Sequence, residues 1–358
     1  NHDGLFVGGP GSKLGDYKRF GNKNAYTAPL TGPQPYDDTV IYTDIDNYFD
    51  TIAPGGEKLR HAMGLSNGDG PTCQSTVGTN NIDQCADRVM QWYSGAYNPS
   101  GSTPSRHAAS PDCPSGQNCS AMGGIYRSNP IVVPPPEPAD ADDQNFGRTR
   151  SNGGSSFYDT YKNRPMVVYQ QTTDGQLHAF NLTMNDFDGG TDPDWDTTAA
   201  PMPVEKTNAY RNNELWTFVP PIILPSLWPN FNSQARLLDG QMAWGNVVYS
   251  RPYGTNAGIS STDTTDWPYA TVIVGASGES ALGGFYYAMD VTDPLKPRFL
   301  WQLSYAGNGD NSGDPGDRLF GRSAPGAAIT HVRYLEKDGT TKVLAAAILP
   351  GGDSYQSA

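Results

Sequence analysis

The stretch RPMVVYQQTTDGQLHAFNL, residues 164–182, decides the fold expected for this chain of 358 residues. An apolar run, PMVVYQQ, leads into TTDG, and a second run, QLHAFNL, leads out. An Asp-Gly pair between two such runs is a strong hairpin signal, because these residues tolerate the backbone conformations of a tight turn. The stretch therefore predicts two antiparallel strands, with His178 in the middle of the second.

A weak internal repeat extends this pattern along the chain. Residues 271–290, TVIVGASGESALGGFYYAMD, resemble residues 166–181: each has a β-branched strand, a glycine turn and an aromatic strand that ends in Asn or Asp. A Leu-Trp strand follows each copy, and the two tryptophans are separated by roughly two propeller blades of about 40 to 45 residues. Repeated units of this kind indicate four-stranded antiparallel blades around an axis. A β-sandwich is the alternative, but it would not require repeated Leu-Trp strands.

The repeat also changes how His178 is interpreted. In the second copy Tyr287 stands near the equivalent place, so the position accepts a residue other than histidine. Asn181 and Asp290 fall at matching strand ends, where a polar side chain can hydrogen-bond a turn. His178 is therefore predicted to be structural, and function is expected in loops and edges.

Composition agrees with an all-β protein. The chain has 41 Gly and 30 Pro, which punctuate strands, and 20 Tyr and 7 Trp, which pack well on pleated surfaces. Only 17% of the residues are charged, and the net charge is −13. Such a charge disfavours nucleic acid as a partner, because phosphates need Lys and Arg. No run of 18 apolar residues occurs, so the sequence predicts no transmembrane helix.

The chain divides into a loop-rich part, residues 1–122, and a strand-rich part, residues 123–358. The segment IDQCADRVMQWY, residues 82–93, has apolar residues at helical spacing and is the clearest predicted helix. Residues 128–157 read as a linker or surface excursion, because PPPEPADADD favours extended polyproline geometry. The aromatic segments at 92–97 and 157–161 are consistent either with a recognition surface or with core packing.

Four cysteines lie in the first part of the chain, without the CxxC or His spacing of a zinc site. An even count in loop-rich sequence predicts two disulfides and an oxidising compartment. Three pairings are possible, local pairing is the simplest, and free buried thiols are the alternative. The cysteines are Cys73, Cys85, Cys113 and Cys119.

Several further motifs occur in the order typical of one family. They are GGIYRSNPIVV (123–133), NRPMVVYQQTTDGQLHAFN, NELWTFVPPIILPSL, VIVGASGESALGGFYYAMDVTDPLKPRFLWQLS and RLFGRSAPG. Together they resemble the core of PilY-type proteins, which are type IV pilus tip adhesins and pilus-biogenesis factors. The resemblance covers residues 123 to about 350, whereas residues 1–122 match nothing identifiable.

The resemblance implies a quinoprotein-like β-propeller, incomplete in this chain, preceded by the loop-rich, disulfide-containing part. It also implies an exported, non-enzymatic protein at the pilus tip or cell surface, associated with the outer membrane and linked to twitching motility. Such a protein would bind minor pilins or other tip proteins and a host or abiotic surface. The family's Asp-x-Asp-x-Asp-Gly calcium loop lies downstream of the matched region and is not carried over to this chain.

Two acidic loops are candidate Ca²⁺ sites, because Ca²⁺ takes six to eight oxygens from flexible, Gly-containing loops. The first, NDFDGGTDPDWD (185–196), departs from an EF-hand, since Gly190 and Thr197 stand at its fifth and twelfth positions. The second is NGDNSGDPGD (308–317). For both loops, a solvated loop without an ion is the alternative. The candidate ligands are Asp186, Asp188, Asp192 and Asp194, with Asp196 beside them, and Asp310, Asn311, Asp314 and Asp317.

Enzymatic alternatives find little support in the sequence. A quinoprotein-like oxidoreductase is the alternative function, but the vicinal cysteine pair known from those enzymes is missing from the sequence. The stretch GASGES (275–280) only approaches a nucleophile elbow, and Ser277 sits in a turn between predicted strands. The five histidines are scattered, so no catalytic constellation is visible.

Overall fold

A computed structural model describes eleven parts of the chain: residues 5–7, 60, 63–93, 123–137, 156–182, 214–220, 222–230, 235–253, 269–294, 297–304 and 319–352. The strands are β1 (Leu5–Val7), β2 (Ile131–Val133), β3 (Val167–Gln171), β4 (Leu177–Asn181), β5 (Glu214–Val219), β6 (Met242–Val248), β7 (Ser250–Pro252), β8 (Tyr269–Ala276), β9 (Tyr286–Asp290), β10 (Arg298–Leu303), β11 (Ala328–Leu335) and β12 (Thr341–Ile348). The helices are α1 (Gly70–Val77), α2 (Ile82–Tyr93), α3 (Phe157–Tyr161) and α4 (Leu224–Leu227). The structure is mostly β, and its sheets are antiparallel, as predicted.

Sheet 1 has the strand order β1-β5-β4-β3-β2, so β2 to β5 form a meander and β1 joins its outer edge. The predicted hairpin is its centre. The Thr172 amide donates to the Gln176 carbonyl at 2.9 Å to close the turn. Gly175 in this turn has φ +93°, and a Cβ there would lie 2.6 Å from Ile223 Cγ2. Only glycine fits both the backbone angle and the close approach.

Sheet 2 has the order β10-β9-β8-β6 and repeats the meander of sheet 1 in the same register. Ala179 pairs with Trp216 in sheet 1, and Ala288 pairs with Trp301 in sheet 2. Each of these pairings lies beside a register shift. The strands that the sequence repeat aligned therefore occupy equivalent places in two sheets.

Sheet 3 has the order β11-β12-β7. The three sheets are in contact through the first strands of their meanders: β2 contacts β6, and β6 contacts β11. One hydrophobic core lies between sheets 1 and 2 and includes Trp216, Phe218 and Tyr287. A smaller core between sheets 2 and 3 includes Val274 and Tyr286, with Ile329 packed against it. The sheets are thus stacked in the order in which they occur along the chain.

The helical part lies on sheet 1. Helix α2 has the bounds predicted from its spacing, and the Cys73–Cys85 disulfide joins it to α1 with a Cα–Cα distance of 5.8 Å. This pairing is the local one that the sequence favoured. Cys113 and Cys119 lie outside the described residues. The Tyr93 hydroxyl donates to the Leu227 carbonyl at 3.0 Å, so the end of α2 is held against α4.

The expectation that residues 128–157 form a linker or surface excursion was wrong at its start. Residues 131–133 belong to β2 rather than to a surface excursion, and Val133 is buried in the core of sheet 1. The polyproline composition of the following residues masked a three-residue strand, which is too short to show a periodicity of its own. The division into 1–122 and 123–358 remains a prediction.

Candidate recognition surface

The predicted calcium ligands at 186–196 and 310–317 lie outside the described residues, so both acidic loops remain predictions. Within the described part of the chain, no group of three or more His, Cys, Asp or Glu side chains is placed to hold a metal ion. The candidate residues from the sequence that lie among the described residues are therefore His178, Ser277 and part of the aromatic segments.

His178 is buried in sheet 1, with 4% of its surface exposed. Its Nε2 lies 3.2 Å from Thr172 Oγ1, and its ring stacks on Phe180 with an interplanar angle of 9°. The Thr172 hydroxyl also donates to the Asp174 carboxylate, and the side-chain Nε2 of Gln176 donates to the Asp174 carboxylate and to the Tyr93 carbonyl. This network joins the hairpin turn to helix α2, which agrees with a structural role for the histidine.

Ser277 takes the place in sheet 2 that Thr172 takes in sheet 1. Its side chain is buried, its hydroxyl accepts from the Phe285 amide at 3.0 Å, and it lies 3.3 Å from the Gly283 carbonyl. These bonds close the β8–β9 turn, just as Thr172 closes the first turn. Ser277 is thus a turn residue of the repeat.

Two members of the aromatic segments picked out in sequence lie in the core. Tyr93 is 3% exposed and Phe157 is 7% exposed, so both serve the core. By contrast, Tyr126 in the segment before β2 is 62% exposed, and its neighbour Ile125 is 51% exposed. Sequence reasoning missed Tyr126, and the only available signal was its place within the GGIYRSNP motif.

Two arginines from segments distant in sequence converge on Tyr126. The Arg127 Cζ lies 5.3 Å from the ring centroid, and the Arg236 Cζ lies 5.2 Å from it. Both guanidinium groups also reach Glu279, at 2.5 Å from Arg127 and 3.4 Å from Arg236. We call Tyr126, Arg127, Arg236 and Glu279 the Tyr126 cluster. It joins the segment before β2, the segment before β6 and the β8–β9 turn.

Asp239 contacts two members of the Tyr126 cluster, Glu279 and Arg236. Its Oδ1 accepts from the Glu279 amide at 2.8 Å, and its Oδ2 lies 3.7 Å from Arg236 Nη1. That second distance fits an ion pair but is too long for a hydrogen bond. Gly278 has φ +66°, and a Cβ there would lie 2.2 Å from Asp239 Oδ1. The glycine therefore allows the carboxylate to reach the backbone that carries Glu279.

The electrostatics of the Tyr126 cluster follow from this packing. The Asp239 side chain is fully buried, and burial raises its pKa, although the Glu279 amide and Arg236 oppose that effect. The Glu279 carboxylate raises the pKa of Arg127, so this guanidinium stays charged. The Glu279 side chain is itself 47% exposed. The cluster thus offers solvent an aromatic ring, two cations and one carboxylate that contact one another.

Such a cluster has the side-chain types found in recognition surfaces. Tyr and Arg are enriched among the residues that dominate protein interfaces, because each offers a large contact area with a polar end. The ion pairs and cation–π contacts restrict the side chains before a partner arrives, which lowers the entropy lost on binding. The exposed Ile125 adds apolar surface beside the ring.

Comparison with known proteins gives a match in sequence. The chain is 26% identical over 187 residues to the type IV pilus biogenesis factor PilY1 homolog of Xylella fastidiosa strain Temecula1. The match covers 52% of this chain and 12% of that relative, so the chain spans only a small part of its length. No protein-family model matches the chain.

Among solved structures, the C-terminal domain of Pseudomonas aeruginosa PilY1 aligns with 62% of this chain and 31% of that chain. The identity is 18% and the TM-score is 0.29. Helices long and apolar enough to cross a membrane are not found among the described residues. The sequence match, at low identity, supports the PilY-type family that the ordered motifs of residues 123 to about 350 indicated.

Proposed function

We propose that this chain is part of a type IV pilus-associated protein that acts in pilus biogenesis or adhesion by binding rather than by catalysis. The observation that carries the proposal is the match over 187 residues to a type IV pilus biogenesis factor, together with the family motifs in their order. We place the protein outside the cell, at the surface or pilus tip and associated with the outer membrane. Its partners would be minor pilins or other tip proteins and a host or abiotic surface.

We further propose that sheets 1 to 3 are blades of a β-propeller. Two of them share a meander order and the same register around Trp216 and Trp301. The first strands of successive meanders are neighbours, as expected where inner strands surround a common axis. In this arrangement the segments before β2 and β6 and the β8–β9 turn, which carry the Tyr126 cluster, would lie at one end of the sheets.

The biological test is deletion of the gene, followed by complementation. Deletion should reduce surface pili, attachment or twitching motility, and the wild-type gene should restore them. Normal piliation, attachment and motility in the deletion strain would refute the proposal.

A second set of strains tests the Tyr126 cluster. Complementation with Tyr126→Ala/Arg127→Ala should restore less attachment than wild type, because the exposed ring and its cation are removed together. The matched control is Tyr158→Ala/Lys162→Ala, which removes another surface cation–π pair at 5.5 Å. Equal attachment with both double variants would show that the Tyr126 cluster takes no part in binding.

Calcium modulation is a separate part of the proposal and rests on the acidic loops in the sequence. Ca²⁺ bound to the folded protein would stabilise it by mass action. Calorimetric titration should show weaker binding in Asp188→Ala or Asp314→Ala than in wild type. An exposed aspartate of the β11–β12 turn, Asp338, provides the control variant Asp338→Ala. Identical titrations for all variants would remove both loops as calcium sites.

A further inference from the structure

The two arginines of the Tyr126 cluster contact Glu279 through one nitrogen each. Arg127 Nη1 and Arg236 Nη1 both reach the same carboxylate oxygen, Oε2 of Glu279. The longer contact between Arg236 and Asp239 Oδ2 also uses Nη1. Within the described part of the chain, neither arginine makes a hydrogen bond or ion pair through Nε or Nη2. Each guanidinium therefore keeps one edge open.

This open edge is the one best suited to a carboxylate. The N–H groups of a guanidinium form a rigid fork, and two parallel N–H donors match the two oxygens of a carboxylate. Such a bidentate pair is stronger and more directional than a contact through one nitrogen. The side chain of Arg127 is 53% exposed and that of Arg236 is 39% exposed, so both are accessible to a ligand.

Apolar surface lies directly beside the two cations. Tyr126 and Ile125 are both more than half exposed, and the Tyr126 ring contacts both guanidinium groups. An arginine over an aromatic face is held by the cation–π attraction and still presents its edges to solvent. A partner with a carboxylate next to an apolar side chain would therefore meet cations and apolar surface together.

Glu279 holds its place through its backbone rather than through its carboxylate. The Glu279 amide donates to the buried Asp239 Oδ1 at 2.8 Å, whereas the Glu279 side chain is 47% exposed. The carboxylate can thus leave the arginines while the β8–β9 turn keeps this backbone bond. As long as it stays, it neutralises part of the charge that an external carboxylate would otherwise meet.

We propose that the Tyr126 cluster binds a carboxylate from an acidic segment of a protein partner. The Nε and Nη2 edges of Arg127 and Arg236 are the donors, and Ile125 and Tyr126 contact an apolar side chain next to that carboxylate. Glu279 is the internal competitor of the partner's carboxylate. This proposal rests on the binding function proposed above and names the chemistry of the partner.

A phosphate-rich ligand fits the same surface less well. The net charge of −13 repels a polyanion along its length. A single carboxylate meets mainly the nearby arginines, because salt screens exposed charges beyond about 8 Å at physiological ionic strength. A phosphate ion would also leave the apolar surface of Ile125 and Tyr126 unused.

The test is a titration of the 358-residue chain with a labelled synthetic peptide, followed by fluorescence anisotropy. The peptide carries two adjacent glutamates flanked by phenylalanines, and its matched control carries glutamines instead. At about 50 mM salt, where charges are less screened, the acidic peptide should bind at least about tenfold more tightly than its control. That ratio corresponds to one charge-assisted hydrogen-bonded pair.

Three variants identify the groups that bind the peptide. Arg127→Gln should weaken binding of the acidic peptide at least about fivefold, because it removes one guanidinium fork. Glu279→Gln should strengthen binding at least about threefold, because it removes the internal competitor, a gain that a merely structural role would not produce. The control is Arg333→Gln, which removes another exposed arginine over a tyrosine ring, at 3.8 Å from the Tyr253 centroid, and should leave the affinity unchanged. Circular dichroism checks that each variant is folded.

Several results would overturn the proposal. These are equal affinity for the acidic and glutamine peptides, no gain from Glu279→Gln, or tighter binding of inorganic phosphate than of the acidic peptide. A molecular mass that rises with protein concentration in wild type but not in Arg127→Gln would identify a second copy of this chain as the occupant. The peptide can fail to bind while the deletion strain still loses attachment, and normal attachment in that strain leaves the peptide result standing. The two proposals are therefore tested separately.

Discussion

Trp216 provides the sharpest test of the sheet stacking, because the repeat supplies its own control at Trp301. A buried tryptophan removes roughly 200 Å² of surface from water, worth about 5 kcal/mol at about 25 cal/mol per Å². Trp216→Ala should therefore lower the free energy of unfolding by about 3–5 kcal/mol, the range measured for such truncations. Trp301→Ala should cost less, since its side chain is only partly buried.

A third variant separates the hydrogen bond from the packing. Trp216→Phe keeps an aromatic ring but leaves the Pro294 carbonyl without its indole donor, at a cost of about 1–3 kcal/mol. Urea unfolding should be followed by far-UV circular dichroism, because the substitutions remove a fluorophore. Midpoints are compared at equal slope. A cost for Trp216→Ala below about 1 kcal/mol, or no larger than that of Trp301→Ala, would refute the difference in burial on which the stacking rests.

Three further predictions concern other parts of the fold. Arg164→Met should lower the free energy of unfolding in urea by about 3 kcal/mol or more. Arg164 is 1% exposed, and its guanidinium donates to the Thr271 hydroxyl and to the Thr292 and Pro134 carbonyls. A loss under about 1 kcal/mol would contradict a stabilising role for these hydrogen bonds. Replacing both Cys73 and Cys85 by Ala should cost about 3 kcal/mol, the value expected for a loop of this length, and an unchanged midpoint would contradict it. Burial raises the folded-state pKa of Asp239, so the folded state holds this proton more tightly than the unfolded state does. The free energy of unfolding should therefore fall as pH rises from about 4 through that raised pKa. Asp239→Asn should remove this part of the pH dependence, and identical pH profiles for the variant and the wild type would contradict the prediction.

Local sequence patterns determined much of the strand-rich architecture. The hairpin at 164–182 and its repeat at 271–290 were predictable because alternation and turn chemistry act over fewer than about ten residues. Helix α2 was predictable from its apolar spacing, and local pairing placed Cys73 beside Cys85. In each case the physical cause lies within the segment itself.

Tertiary contacts decided which side chains are exposed. Tyr93 and Tyr126 are both tyrosines, yet Tyr93 is buried against α4, and Tyr126 is exposed to solvent between two arginines. The strand β2 depended likewise on β3, since three residues have no strand preference strong enough to act alone. Local patterns therefore determined the elements, whereas the Tyr126 cluster follows from packing between segments distant in sequence, because burial depends on every neighbour a side chain meets.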